Sequence, residues 1–111
     1  MSEDSEIGAV LKRLEATIAD RKGARSDSSY TASLLAGGAQ KCAKKFGEEA
    51  VEAALAAVSG DKAHLTAEAA DVLYHLMVML AEQNVTLADV ASALAAREGT
   101  SGHDEKASRK K

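Results

Sequence analysis

KKFGEEAVEAALAAVSGDKAHLTAEAADVLYHLMVML, running from Lys44 to Leu80, decides the fold of this chain. Apolar residues recur in it at helical spacing, without the alternation of a strand, and Gly60-Asp61 divides it in two. The first half belongs to a helix expected from about Ala39 to Val58 that stops at Gly60. Asp61 supplies an N-cap for the second helix, which carries Leu65, Val72, Leu76 and Met79 until Asn84 ends it. Each helix bears an acidic strip. EExxE places Glu48, Glu49 and Glu52 within an arc of roughly 100°, beside the apolar stripe of Val51, Leu55 and Val58. ExxD sets Glu68 and Asp71 on one edge, flanked by Leu65, Val72, Leu76 and Met79. Both strips border the surfaces that are expected to pack together.

Carboxylates facing one another at the edge of a core repel, and burial raises the cost of keeping them ionised. A divalent cation removes that conflict. Oxygen-only ligation suits a hard ion, Mg²⁺ or Mn²⁺, and Mg²⁺ shares its ligands readily with phosphates. The competing reading is a solvated helix face, with Lys41 and Lys45 forming ordinary surface pairs to the acids that follow them. EExxE alone is a weak signal; followed by ExxD on the next helix, with both bordering apolar stripes, it is more specific.

Working outward, Ile7, Val10, Leu11, Leu14 and Ile18 make the stripe of a first helix ending near Gly23, and Ala24 to Ser29 reads as a loop. Ser28 or Ser29 caps a short helix through Tyr30, Leu34 and Leu35 that closes at Gly37-Gly38. Thr86 and Asp89 resemble a capping box and open a last helix towards Gly99. The expected class is all-α, a helical bundle of four to five helices, with one domain over residues 1–99 and a polar tail over 100–111. Apolar residues make up 46% of the chain, nearly half of them alanine, and aromatics only 3%, so a lone core is thin and a homodimer or higher homo-oligomer is expected to complete it. A net charge of −3 gives no reason to expect nucleic-acid binding, which usually goes with a basic face. Cys42 is the single cysteine and allows no internal disulfide. The acidic start, Met1 to Glu6, is unlike a signal peptide, and no apolar run approaches a membrane span, so a cytoplasmic protein without a membrane partner is expected.

The stretches SYTASLLAGGAQKCAKKFGEEAVEAALAA, Ser29 to Ala57, and EAADVLYHLMVMLAEQNVTLADVASAL, Glu68 to Leu94, resemble the phosphoribosyl-ATP pyrophosphatase family within the MazG-like all-α nucleotide pyrophosphohydrolases. The ending REGTSGHDEKASR, Arg97 to Arg109, resembles that of single-function members, so the likeness covers nearly the whole chain. Phe46 and Ala54 depart from the aliphatic or β-branched residues of many relatives without touching the chemistry. The resemblance implies Mg²⁺-dependent hydrolysis of the α–β phosphoanhydride of phosphoribosyl-ATP, the second step of histidine biosynthesis. It implies metal ligation by Glu49, Glu52, Glu68 and Asp71, with Glu48 as a second ligand or a base that orients water.

It also implies that Tyr30 and Thr31 contact the ribose phosphate, against a plain role in capping and packing, and that part of the tail, Lys106 and Arg109 above all, closes over the phosphates. Lys41 and Lys45 project along the edge of Glu48 and Glu52, where they meet the remaining phosphate charge. His75, one turn after Asp71, either holds a ligand carboxylate, contacts substrate, or simply packs. Three rivals stand beside this reading. One is a house-cleaning hydrolase of (deoxy)nucleoside triphosphates, and another is a non-catalytic helical dimer. The third, a di-iron bundle, needs Glu-x-x-His pairs that the chain lacks.

Overall fold

The computed structural model describes the backbone of residues 3–99 and the side chains from Glu6 onward. Five helices follow one another: α1 (Glu3–Arg21), α2 (Tyr30–Ala36), α3 (Gly38–Ser59), α4 (Lys62–Glu82) and α5 (Leu87–Ala95), with no strand among the described residues. The class is all-α. None of these helices is long and apolar enough to cross a membrane.

The boundaries follow local chemistry. Ser29 caps α2 by accepting a hydrogen bond from the Ala32 amide, and Asp61 caps α4 by accepting from the His64 amide. Gly60 adopts φ 80°, a left-handed conformation that turns α3 into α4 and that a side chain would strain. At α5 the capping box is complete: Thr86 accepts from the Asp89 amide while the Asp89 carboxylate accepts from Thr86. Glu15 of α1 adds a carboxylate oxygen 2.8 Å from the Leu87 amide, tying α5 to α1.

These bonds hold Asp89 below its ordinary carboxylate range, through the Thr86 amide first and the hydroxyl second. A carboxyl lowered in the folded state contributes stability above its unfolded pKa, and that contribution disappears as the pH falls through the folded value. The melting temperature of Asp89→Ala is therefore expected below wild type at neutral pH, with the two curves converging in strong acid. Thr86→Ala is expected to cost about 1 kcal/mol, the usual worth of such a cap, by urea unfolding.

Ile18, Leu34, Cys42, Met77 and Val78 form the buried core, so α1 to α4 all contribute. Ile7 and Val10, at the start of the predicted α1 stripe, remain exposed, and the stripe reaches the core only from Leu11 onward. Cys42 is core: its thiol lies 3.2 Å from the Leu34 carbonyl, and burial pushes it above the ordinary thiol range.

The main surprise lies on α3, whose principal partner is α4. Its less exposed residues Cys42, Phe46, Glu49, Ala53 and Ala56 repeat at alternating steps of four and three, the seam of two helices packed side by side. The stripe that the sequence set against α4 points elsewhere: Val51, Leu55 and Val58 are 60%, 65% and 87% exposed. Two alanines let α3 come close to α4, while the larger aliphatic side chains occupy the opposite face of the helix.

Candidate metal centre

The α3–α4 hairpin sets the level of the acids. Glu49 and Asp71 each lie eleven residues from Gly60, and Glu52 and Glu68 each lie eight. At 1.5 Å of rise per residue the pairs fall about 16 Å and about 12 Å from the turn, so each acid has an opposite number. Glu49, Glu68 and Asp71 converge: each offers one oxygen, and all three lie within 4.8 Å of one another. Glu49 reaches this place because it occupies the seam itself, between Phe46 and Ala53.

Three carboxylates at such a distance repel by up to a few kcal/mol per pair at an effective dielectric near 20, and by less where Asp71 opens to water. Glu68 is the most constrained. Its side chain is 15% exposed, His64 Nε2 stands 3.3 Å from Oε1, and Oε2 is buried with no hydrogen-bond partner. An anionic oxygen left so is costly, since it has surrendered water and received nothing. A hard divalent cation held among the three carboxylates would offset two of their three negative charges. The donor set, carboxylates without sulfur, fits Mg²⁺ or Mn²⁺.

The other expected residues are distributed around this centre. Glu52, one turn beyond Glu49, is exposed and outside the converging group. Its direction from the helix axis lies about 60° from Glu49, towards the uncovered apolar face. Glu48 pairs with Lys45 at 3.2 Å, and this bond, followed by the Glu48 charge, raises the Lys45 ammonium above its ordinary range. Lys41 does not follow the acidic edge. Its Nζ turns back to 3.5 Å from the Ser33 carbonyl, near the C-terminal end of α2, and its stem crosses Gly37 so closely that a Cβ there would lie 2.3 Å from Lys41 Cδ. Lys106 and Arg109 lie outside the described residues.

His75 holds no ligand carboxylate. It is 6% exposed, and its Nδ1 donates to the main-chain carbonyl of Asp71 at 2.8 Å. A carbonyl only accepts, so the proton sits on Nδ1, and in the neutral ring Nε2 accepts from the Tyr30 hydroxyl at 3.1 Å. Tyr30 caps nothing; Ser29 does that work. The Tyr30 phenol is raised above its ordinary range, first by burial of its hydroxyl end, with Lys45 opposing and Tyr74, Glu49 and Glu48 adding to the rise. Those neighbours place Tyr30 beside the acidic centre. The Thr31 hydroxyl bonds that of Tyr74.

Two residues escaped the sequence reading. His64 carried a usable signal, four residues before Glu68 on one helix face. Tyr74 carried none, because only the position of α2 gives it a partner.

A family model described as phosphoribosyl-ATP pyrophosphohydrolase matches residues 11–98. The chain is 68% identical to a phosphoribosyl-ATP pyrophosphatase of Dinoroseobacter shibae, over 91% of this chain and 99% of that protein. It is 67% identical to one of Cereibacter sphaeroides, over 90% and 97%, and 64% identical to one of Paracoccus denitrificans, over 90% and 93%. Each similarity spans both acidic helices.

Proposed function

The chain belongs to the phosphoribosyl-ATP pyrophosphohydrolase family, and from that membership we propose how its carboxylates carry out the reaction. It is a hydrolase that splits the α–β phosphoanhydride of phosphoribosyl-ATP into phosphoribosyl-AMP and pyrophosphate, in histidine biosynthesis. The observation that supports a metal-dependent course is the partnerless, buried Glu68 Oε2 beside two further carboxylates. Glu49, Glu68 and Asp71 would hold Mg²⁺, with Glu52 turning in from the adjacent turn as a fourth ligand. When bound, the ion offsets the charge of the phosphates and of the departing pyrophosphate.

The remaining steps belong to side chains. Lys45 exchanges Glu48 for a substrate phosphate oxygen, a better partner because it carries more charge. Glu48, released, accepts a proton from the attacking water as that water's oxygen bonds phosphorus and the bridging bond breaks. His64 holds Glu68 through Oε1, while Oε2 has no hydrogen-bond partner. Lys106 and Arg109 are assigned to the phosphates as a closing segment, on the family likeness of the tail alone.

A homodimer completes this picture. The exposed Val51, Leu55 and Val58 form a continuous apolar face beside Glu48 and Glu52, and a second copy of the chain covers it. A cytoplasmic setting accords with the buried, unpaired Cys42.

Pyrophosphate release in the presence of Mg²⁺ tests the reading. Phosphoribosyl-ATP is expected to be used at least about a hundredfold better than dUTP or dCTP in kcat/KM, because buried polar contacts reject substrates that leave them unpaired. Equal or better use of the deoxynucleotides would favour the house-cleaning alternative. Glu52→Gln in the same assay reports whether the fourth carboxylate takes part.

A further inference from the structure

We infer that Tyr74 and His75 are positioning residues that act through Tyr30, locking the short helix α2 to α4 so that the Tyr30 ring stands in fixed register with the carboxylate centre. The inference rests on the proposed reaction and on the family likeness that sets Tyr30 against the substrate.

A helix of seven residues that follows a loop is not stable by itself, so tertiary bonds must set its place. Beyond the buried Ala32 and Leu34, two side-chain links tie its first residues to α4: Thr31 to Tyr74, and Tyr30 to His75. Tyr74 and His75 are consecutive, and they follow Asp71 within one helical turn. The element that carries a metal-binding carboxylate therefore also carries the clamp. His75 is itself immobilised, since Nδ1 is bound to the Asp71 carbonyl and the ring packs edge-on against Tyr74 with centroids 4.9 Å apart. With both nitrogens engaged and 6% exposure, His75 is not a substrate ligand; it is a rigid acceptor for one hydroxyl.

Tyr30 is the opposite case. It is 53% exposed, so its ring is not core filler. One side faces Tyr74 at 6.3 Å between centroids and 22° between planes, and the hydroxyl is tied to His75, which fixes the ring's rotation and leaves much of it open. Lys45, Glu48 and Glu49 are its charged neighbours. An exposed aromatic ring, held by its hydroxyl at the lip of a phosphate-handling site, is suited to orient the nucleotide while the phosphates engage the acids and Lys45.

The test is a double-mutant cycle on kcat and KM for phosphoribosyl-ATP with Mg²⁺, using Tyr30→Phe, His75→Phe and the pair, with melting temperatures recorded for each. Each single change is expected to raise KM roughly three- to tenfold, the worth of one hydrogen bond, with kcat within about twofold. The pair should be no worse than either alone, because both remove the same link. His75→Gln keeps an acceptor near the Nε2 position and should restore most of the affinity, which packing alone would not predict. Should His75→Phe fail to fold, Tyr30→Phe and His75→Gln carry the comparison. Tyr74→Phe frees Thr31 and should raise KM in the same sense. Multiplying effects in the pair, unchanged KM in the singles, or a Gln variant as impaired as Phe would overturn the inference while leaving the reaction intact. A wild-type chain that releases no pyrophosphate from phosphoribosyl-ATP would overturn the proposed course and this inference together.

Discussion

Glu68→Gln is expected to lower kcat by roughly a hundred- to a thousandfold with Mg²⁺ and substrate in excess. Losing a group that merely orients a ligand costs about 10- to 100-fold, and losing a preorganised partner of developing charge costs about 100- to 1,000-fold; a ligand belongs at the upper end. Glutamine preserves the shape, so the change tests charge and not packing. Thermal unfolding supplies an independent readout. An ion that binds only the folded state stabilises it by about 2.7 kcal/mol at a hundred times its Kd. For a domain near 100 residues that corresponds to a rise of roughly 10 to 20 °C in melting temperature.

Wild type should show such a rise and Glu68→Gln almost none. Without Mg²⁺ the order should reverse or vanish, because the substitution removes one of three repelling charges and replaces a partnerless anionic oxygen by a neutral amide. An exposed acid outside the group, Asp20, serves as control: Asp20→Asn should change neither quantity. Full activity in Glu68→Gln would end the metal-centre reading.

Leu55→Asp carries the second large effect. In a lone chain Leu55 is 65% exposed, and a substitution there should shift stability by no more than about 0.5 kcal/mol. On a face covered by a second copy the same carboxylate loses its water, with a matching charge from the other subunit close by. Central interface residues cost about 2 kcal/mol or more when truncated, which weakens dimerisation by at least about 30-fold before any penalty for charge is added. Sedimentation equilibrium at micromolar concentration should give the mass of two chains for wild type and of one for the variant. Because Glu48 and Glu52 border this face, activity is expected to fall with the dimer. A monomeric, fully active wild type would refute the assembly and leave the apolar face unexplained.

Much of the architecture follows from local chemistry and was open to reading along the chain. Ser29, Gly60, Asp61, Thr86 and Asp89 act within a few residues of themselves, through caps and a left-handed turn, so the helix ends and the α3–α4 turn are specified by local sequence. The level of Glu49 opposite Asp71 also follows, because a tight turn between two helices fixes their register.

What packing decided is the choice of face. Periodicity gives the angle of each side chain around its own axis, but α3 bears two apolar sides, and either is compatible with the pattern. The large aliphatics suggested one; the small, closely packing alanines were used for the other. That choice drew Glu49 into the seam, left Glu52 and Val51 outside it, and turned Lys41 towards α2. The partner of His75 was decided in the same way, since Tyr30 lies 45 residues away and comes near only once α2 has docked. Sequence spacing determines what a helix can present, whereas the free energy of burying one side over another, summed over the whole bundle, determines what it does present.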